Sequence, residues 1–278
     1  MYFAGVDIGS TMTKVVILDE TIRARIIGPT GAEHRHLANR VMEEALNQAN
    51  ITFDQISYVV ATGYGRINVP FADKQITEIT CHAKGVTSLF PKVRLVIDIG
   101  GQDAKAIKIA NDKVVGFVMN DKCAAGTGRF LEVIAEALGT KLNDMGPLSL
   151  KATKKVSISS TCTVFAEQEV VSRIADGVAI EDILAGLHDA IAGRVFRMAE
   201  RLKVEPDVVL TGGVAKNIGV VKAMESYVGL PISIPEEPLL TGALGAAILG
   251  RELTRKAMES GKPVERASKR LKEATFFT

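Results

Sequence analysis

A nine-residue pattern occurs twice in this chain of 278 residues, and it constrains the fold more than any other feature. Residues 6–14 read VDIGSTMTK and residues 97–105 read IDIGGQDAK, so that Asp7 and Asp98 are 91 positions apart. Each copy predicts an apolar strand, a turn that contains glycine and a second, alternating strand, which together form a β-hairpin. Two related hairpins favour two related domains with a cleft between them.

The rest of the sequence alternates between helical and extended patterns. Apolar residues recur at intervals of three and four in the predicted helices, whereas short apolar runs predict strands. The predicted helices cover 36–49, 130–138, 165–175 before a C-capping Gly177, 183–202 and 242–253; the predicted strands cover 56–61, 156–158 and 208–210. From Arg251 onward the mixed charge predicts a solvated helix or a frayed tail.

Composition excludes several classes of function. The chain is 47% hydrophobic and 24% charged, as is typical of globular proteins. No apolar run reaches ~18 residues, so we expect no transmembrane helix, and the N-terminus reads as a first strand and not as a signal peptide. A net charge of +2 gives no reason to propose a nucleic-acid partner. Three cysteines are too few for a disulfide framework and favour a reducing, cytoplasmic location.

The hairpin turns are candidate phosphate-binding sites. Backbone N–H groups converge at such a turn, and glycine lets a ligand approach closely. Asp7 and Asp98 each end a strand at a turn, and paired carboxylates suit Mg²⁺. Any single hairpin is more often an ordinary turn, but two of them and a further glycine pair, Gly212 and Gly213, favour a nucleotide site. Hydroxyl donors in the first turn would come from Ser10, Thr11 and Thr13.

Two of the three cysteines precede helical patterns. Cys123 lies in NDKCAAGTG at residues 120–128, and Cys162 follows Ser159, Ser160 and Thr161, which are good N-cap residues. Free N–H groups at a helix start stabilise anionic sulfur. An iron–sulfur cluster usually needs four thiolates, which a symmetric dimer would supply. Three alternatives remain for Cys123 and Cys162. They could be buried hydrophobic residues, as we expect for Cys81, ligands of an incomplete zinc site, or partners in a disulfide.

The two Asp-x-Gly hairpins and the later Gly-Gly turn resemble the actin, Hsp70 and sugar-kinase ATPase superfamily. The resemblance implies an α/β fold of two ribonuclease-H-like domains, residues 1–93 with about 240–278 and residues 94–239, around a nucleotide cleft. It implies bound ATP with Mg²⁺, whose water shell Asp7 and Asp98 would hold, and an attacking water oriented by Gln102 or Asp103. The residues that this resemblance places at the nucleotide are Asp7, Gly9, Ser10, Thr11, Thr13, Lys14, Gly100, Gly101, Gln102, Gly126, Thr127, Gly128, Gly212, Gly213, Lys216 and Asn217.

The cysteine segments carry a more specific resemblance. NDKCAAGTGRF at 120–130 and SSTCTVFAE at 159–167, with TGYGR at 62–66 and DKQITEI at 73–79, resemble the activator ATPases of 2-hydroxyacyl-CoA dehydratases and the ATPase subunits of benzoyl-CoA reductases. That family implies a homodimer with one [4Fe–4S] cluster, held by Cys123 and Cys162 of both chains. Gly126, Thr127 and Gly128 would then lie between the cluster helix and the phosphates and connect the two sites.

The resulting interpretation is an ATP-dependent one-electron donor. It would take an electron from a ferredoxin or flavodoxin and reduce a 2-hydroxyacyl-CoA dehydratase or a related iron–sulfur reductase. Three alternatives remain: an ATPase subunit of a permanent benzoyl-CoA-reductase-type complex, a small-molecule kinase without a cluster, and a nucleotide-dependent regulatory or chaperone-like protein. The sequence does not encode the identity of the partner.

Overall fold

The computed structural model describes residues 1–31, 34–159, 162–264 and 266. The strands, in chain order, are β1 (Tyr2–Ile8), β2 (Met12–Leu18), β3 (Ile22–Pro29), β4 (Ile56–Thr62), β5 (Lys74–Gln75), β6 (Leu95–Ile99), β7 (Ala104–Ala110), β8 (Lys113–Asn120), β9 (Val208–Thr211) and β10 (Ile232–Ser233). The helices are α1 (His34–Ala49), α2 (Glu78–Leu89), α3 (Gly128–Ala137), α4 (Leu142–Ser149), α5 (Thr163–Ala175), α6 (Ile180–Ala199), α7 (Ile218–Val228) and α8 (Thr241–Glu259).

The chain divides into two compact units. Unit 1 contains Met1–Pro91, Asp112–Val114 and the described residues from Leu239 onward, and unit 2 contains Lys92–Asn111 and Val115–Pro238. Each unit is built on a five-stranded sheet, ordered β3-β2-β1-β4-β5 in unit 1 and β10-β9-β6-β7-β8 in unit 2. The two sheets share a pattern of antiparallel and parallel neighbours. The division into ribonuclease-H-like domains at 93/94 and 239/240 stays a prediction.

Both predicted hairpins are confirmed. β1 pairs with β2 in antiparallel register, with Asp7 opposite Lys14, and β6 pairs with β7 with Asp98 opposite Lys105. The repeated nine residues therefore adopt the same structure twice. In each sheet a further strand runs parallel to the first strand of the hairpin. β4 is parallel to β1, and β9 is parallel to β6.

The sheet of unit 1 is covered on both faces, which explains why its central strands are apolar at almost every position. Alternate side chains of a strand point to opposite faces. Val15 and Ile17 pack in one core with α1, whereas Val16 packs in another with α8. Burying each such aliphatic side chain stabilises the fold by about 1.5–3 kcal/mol.

Unit 2 has one continuous core. The β6 residues Leu95, Ile97 and Ile99 are fully buried and belong to it, together with residues of α3, α5, α6 and α7. The predicted helices are confirmed with shifted bounds, since α6 begins three residues before the predicted Ile183. Gly177 follows α5 with a positive φ of 75°, as the predicted C-cap position requires.

One predicted strand is wrong. Residues 156–158 form no strand, although Ile158 is buried in the core of unit 2. The segment packs on α6, and a Cβ at Gly186 would collide with the carbonyl oxygen of Val156. The alternation therefore reflects packing on a helix and not pairing in a sheet.

The C-terminal part of the chain is described to residue 264 and at residue 266. α8 continues to Glu259, beyond the predicted end at Leu253, and belongs to unit 1. The rest of the predicted tail, 267–278, lies outside the described residues, as do the predicted N-cap residues Ser160 and Thr161. Within the described ranges, no helix is long and apolar enough to cross a membrane.

Candidate nucleotide and cluster sites

The first hairpin turn, in unit 1, combines accessible turn residues with a buried ion pair. Lys14 Nζ lies 3.1 Å from Asp7 Oδ2, and both side chains are buried. Ser10 and Thr11 are half-buried at the turn, where they are accessible to a ligand. Thr13 is fully buried, and its hydroxyl pairs with that of Thr30 at 2.9 Å. The Thr13 hydroxyl is therefore not accessible to a ligand at the turn, whereas Ser10 and Thr11 are.

The second hairpin turn, in unit 2, repeats the ion pair and extends it. Lys105 Nζ lies 3.4 Å from Asp98 Oδ2 and 2.8 Å from Asp103 Oδ1. Thr211 donates its hydroxyl to Asp98 Oδ1 at 2.8 Å. Lys105 was not among the predicted site residues, although the repeat aligns it with Lys14.

Gly100, Gly101 and Gln102 form the tip of this second turn. Gly100 N–H donates to the Asp103 carbonyl at 2.9 Å and closes the turn. Gln102 is exposed, whereas the Asp103 carboxylate is paired with Lys105. That one of these two residues, Gln102 or Asp103, orients an attacking water stays a prediction.

A Thr-Gly pair stands at the end of β4 and again at the end of β9, with the threonine as the last residue of the strand. Thr62 is in register with Asp7, and Thr211 is in register with Asp98. The following glycines, Gly63 and Gly212, have φ angles of 83° and 84°, which L side chains rarely adopt. A Cβ at Gly63 would also collide with Asp7. This second repeat was missed, although Thr-Gly after a buried apolar run stands in the sequence at both places.

Asn217 caps α7 and does not present a free side chain. Its Oδ1 accepts bonds from the N–H groups of Gly219 and Val220 at 3.0 and 3.2 Å. Its Nδ2 lies 3.2 Å from Nε2 of His188, which is almost completely buried in α6. The nearby Gly213 is exposed, and the exposed Lys216 pairs with Glu237. A nucleotide contact from Asn217 through its side chain would have to share these bonds.

His188 is held as a neutral imidazole in this network. Burial lowers the pKa of His188 to about 4. Asn217 Nδ2 is a donor, so Nε2 accepts and the proton lies on Nδ1, which is 3.0 Å from Ser149 Oγ. Ser149 in turn donates to the Gly146 carbonyl at 2.7 Å. The sequence analysis did not identify this network, because its members are far apart in the chain.

Backbone hydrogen bonds join the second turn to the start of α3, which directly follows the Cys123 loop, defined as residues 120–127. The N–H groups of Gly128 and Arg129 donate to the carbonyls of Gly100 and Gly101 at 2.8 and 2.7 Å. Thr127 is fully buried, and its hydroxyl donates to the Ala124 carbonyl at 2.7 Å. The turn and the cysteine loop are therefore connected within unit 2.

The three cysteines have different surroundings. Cys162 is the N-cap residue of α5, as predicted for a helix start, whereas Cys123 precedes the Thr127 N-cap of α3 by four residues. Both are free and half-buried. Cys81 is fully buried, and burial raises the pKa of its thiol to about 12. Cys123 and Cys162 are therefore accessible as ligands, and Cys81 is not.

The donor set of one chain fits half of a cluster site. Among the described residues, no group of three or more His, Cys, Asp or Glu side chains is arranged to hold a metal ion. A cluster shared by two chains requires only two thiols from each. Half-buried thiols, one of them at a helix N-terminus, fit such a shared cluster. Asp7 and Asp98, each paired with a lysine, fit contact with Mg²⁺ through its water shell.

The fold is the α/β fold of the actin, Hsp70 and sugar-kinase ATPases, as the sequence predicted. A ROK family glucokinase from Streptomyces griseus superposes with a TM-score of 0.56 at 15% identity, covering 91% of this chain and 100% of that one. A crystal structure of (R)-2-hydroxyglutaryl-CoA dehydratase component A from Acidaminococcus fermentans superposes with a TM-score of 0.86 at 44% identity. The alignment covers 91% of this chain and 98% of that one.

The chain belongs to the BadF/BadG/BcrA/BcrD ATPase family, whose model matches residues 4–250. The 2-hydroxyisocaproyl-CoA dehydratase activator of Clostridioides difficile is 46% identical over 274 residues, which is 95% of this chain and 99% of the activator. A benzoyl-CoA reductase polypeptide of Thauera aromatica is 32% identical, over 89% of this chain and 92% of that polypeptide. The predicted family is thereby confirmed.

Proposed function

We propose that this chain is an ATP-dependent one-electron donor that activates a 2-hydroxyacyl-CoA dehydratase or a related iron–sulfur reductase. The observation that carries the proposal is the hydrogen-bonded path from the Gly100–Gly101 turn through Gly128 and Thr127 to the Cys123 loop. The names of the close relatives, which are dehydratase activators, support the same function.

In this proposal both hairpin turns take part in ATP binding. The turn N–H groups bind phosphate oxygens, and Asp7 and Asp98 hold the water shell of Mg²⁺. Lys14 and Lys105 form ion pairs with these buried carboxylates and hold them in place. Gln102 or Asp103 orients the attacking water. The exposed Gly213 gives the adenosine a surface without a side chain.

The cluster site is proposed at the interface of a homodimer. When bound, a [4Fe–4S] cluster supplies a one-electron carrier, with Cys123 and Cys162 of each chain as its ligands. Cys162 is the N-cap residue of α5, and the start of a helix favours an anionic ligand such as a cluster. A ferredoxin or flavodoxin is the proposed electron source.

The exposed surface of α5 supports the dimer. Val164, Phe165 and Val171 are exposed by 57%, 60% and 53%, although they follow closely after Cys162. Exposed apolar residues that cluster in this way mark interaction surfaces. A second copy of α5 would cover them and bring the Cys162 residues of the two chains to the same interface.

A second candidate is an ATPase subunit of a permanent benzoyl-CoA-reductase-type complex. The similarity to the Thauera aromatica reductase polypeptide supports it. Purification of the chain from its native cells separates the two functions. A transient activator is isolated as a homodimer, whereas a permanent subunit is isolated together with other chains.

Iron analysis of cysteine variants tests the proposal. We expect about four irons and four sulfides per dimer in the anaerobically reconstituted protein. Cys123→Ser and Cys162→Ser should abolish bound iron, because each removes two of the four ligands in a dimer. Cys81→Ser is the matched control and should retain the cluster, because this thiol is buried and protonated. Normal iron content in either Cys123→Ser or Cys162→Ser would contradict the assignment of these cysteines as cluster ligands.

A further inference from the structure

Three arginines line a cavity of about 370 Å³ in unit 2. Arg194, Arg197 and Arg201 are spaced by three and four residues, so they lie on one face of α6 and of the short helical turn that continues it. Neither tip of the two hairpins lines the cavity. Among the described residues that do line it, there is no aspartate or glutamate.

The cavity adjoins the Cys123 loop. A Cβ at Gly126 would lie 3.1 Å from Arg194 Cδ, so the arginine stem packs directly on this part of the loop. Asn120 also lines the cavity, and its Nδ2 donates to the Cys123 carbonyl at 2.8 Å. A ligand in the cavity would therefore contact two side chains that support the loop.

The charges of the outer arginines are available to a ligand. Arg197 and Arg201 are exposed, and neither forms an ion pair with a residue that the structure describes. The remaining wall is partly apolar and includes Val118, Val195 and Met198. Exposed arginines beside an apolar wall suit a ligand in which an anionic group is joined to an apolar organic group.

We propose that this cavity binds an organic diphosphate, the chemistry that a nucleoside diphosphate and coenzyme A share. Guanidinium groups bind phosphate oxygens with two parallel hydrogen bonds, and successive arginines on one helix face suit two linked phosphates. The volume lies within the range of small-ligand sites, about 300–1,000 Å³. The choice of coenzyme A as a probe rests on the proposed function, whereas the site itself does not.

Calorimetric titration of the full-length dimer tests the site. The protein is first saturated with ADP, so that the nucleotide site is filled, and then titrated with inorganic pyrophosphate, with coenzyme A and with further ADP. We expect one additional site per protomer. The double variant Arg197→Gln/Arg201→Gln should weaken it at least ~10-fold, because charge-assisted hydrogen bonds are lost. Both positions are exposed, and circular dichroism checks that the variant folds.

Arg40→Gln is the matched control. It removes one exposed arginine from α1 in unit 1 and should leave the affinity unchanged. Tighter binding of coenzyme A than of further ADP assigns the site to coenzyme A, and the reverse order assigns it to a nucleotide. Absence of binding of all three probes, or equal affinity in the double variant and in Arg40→Gln, overturns the proposal. The iron content of the cysteine variants is measured independently, so failure of this site and failure of the proposed function are distinguishable.

Discussion

Asp98 shows how much of the site depends on single contacts. Lys105 and the Thr211 hydroxyl both reach its carboxylate, and all three side chains are buried. Removing one partner of such a pair costs about 3–5 kcal/mol, because an uncompensated charge remains in the interior. Lys105→Met therefore tests stability more than catalysis, whereas Asp98→Asn keeps the size of the side chain and leaves Lys105 paired with Asp103.

Replacement of either repeated aspartate by asparagine should reduce ATP hydrolysis. We expect Asp7→Asn and Asp98→Asn each to lower the rate at least ~10-fold, because positioning of the metal supplies several kcal/mol of charge stabilisation in the transition state. Phosphate release by the purified dimers measures the rate, and the visible spectrum checks that the cluster remains. Hydrolysis at the wild-type rate in both variants would refute the assignment of the two turns to the nucleotide.

The sequence revealed those site residues whose partners lie close to them in the chain. Asp7 and Lys14 are seven residues apart in a repeated hairpin, so both could be selected from the pattern. Thr211 lies 113 residues from Asp98, and no local pattern connects them. The burial of Thr13 could not be inferred either, because its partner Thr30 follows a strand, β3, that the sequence analysis did not predict.

Among the elements, α6 and α7 are joined by a polar contact in an apolar core. His188 of α6 contacts Asn217, the N-cap of α7, and Ser149, the last residue of α4. A Cβ at Gly219 would collide with the imidazole, so the helix start fits closely over it. His188 thereby positions the segment that follows the Gly212–Gly213 turn.

This contact predicts a dependence of stability on pH. Burial lowers the pKa of His188 from 6.5 to about 4, so between these values the folded state binds fewer protons than the unfolded state. The contribution to stability is complete above pH 6.5 and is lost as the pH falls towards 4. The full loss is about 3 kcal/mol, since one pKa unit corresponds to about 1.4 kcal/mol.

Urea unfolding at several pH values measures this dependence. His188→Gln keeps a polar side chain but does not titrate, so the difference in unfolding free energy between the two proteins should narrow as the pH falls from 6.5 to about 4. His36, which lies on α1 in unit 1, provides the control variant His36→Gln. A constant difference across this range would show that the imidazole does not stay neutral in the folded state.

The elements that could be predicted are those with a strong period of their own. The two hairpins and α6 were predicted from local alternation or from helical spacing. The segment 156–158 alternates in the same way but packs on Gly186 of α6, so only the tertiary structure reveals that it is not a strand. β8 was not predicted, although Val115, Phe117 and Met119 alternate with less exposed residues along it.

For the whole molecule, the proposed function depends on coupling between the second hairpin turn, at Gly100 and Gly101, and the Cys123 loop. ATP and ADP differ at the γ-phosphate, which would contact the turn formed by Gly100 and Gly101. The start of α3 is hydrogen-bonded to both carbonyls, and Thr127 continues the connection to Ala124, next to Cys123. A displacement of the turn would therefore move the loop that carries Cys123, a proposed ligand of the cluster. The motif could be recognised in the sequence, but these bonds could not.

Coupling of this kind requires that ATP and ADP differ in their affinity for two states of the dimer. We expect the two states to differ in the angle between the protomers, because rigid-body motion at an interface amplifies a small difference at a ligand. The cluster, held by both chains, would then differ in its exposure to solvent.

The rate of iron removal by a chelator tests this coupling most directly. The reconstituted dimer is mixed anaerobically with an iron chelator, in the presence of ADP or of a non-hydrolysable ATP analogue, and loss of the visible absorbance is followed. We expect faster removal with the ATP analogue, and Asp98→Asn, which we expect to be impaired at the nucleotide, should reduce the difference. Equal rates in the two nucleotide states would contradict the coupling and leave a cluster and an ATPase site that act independently on one chain.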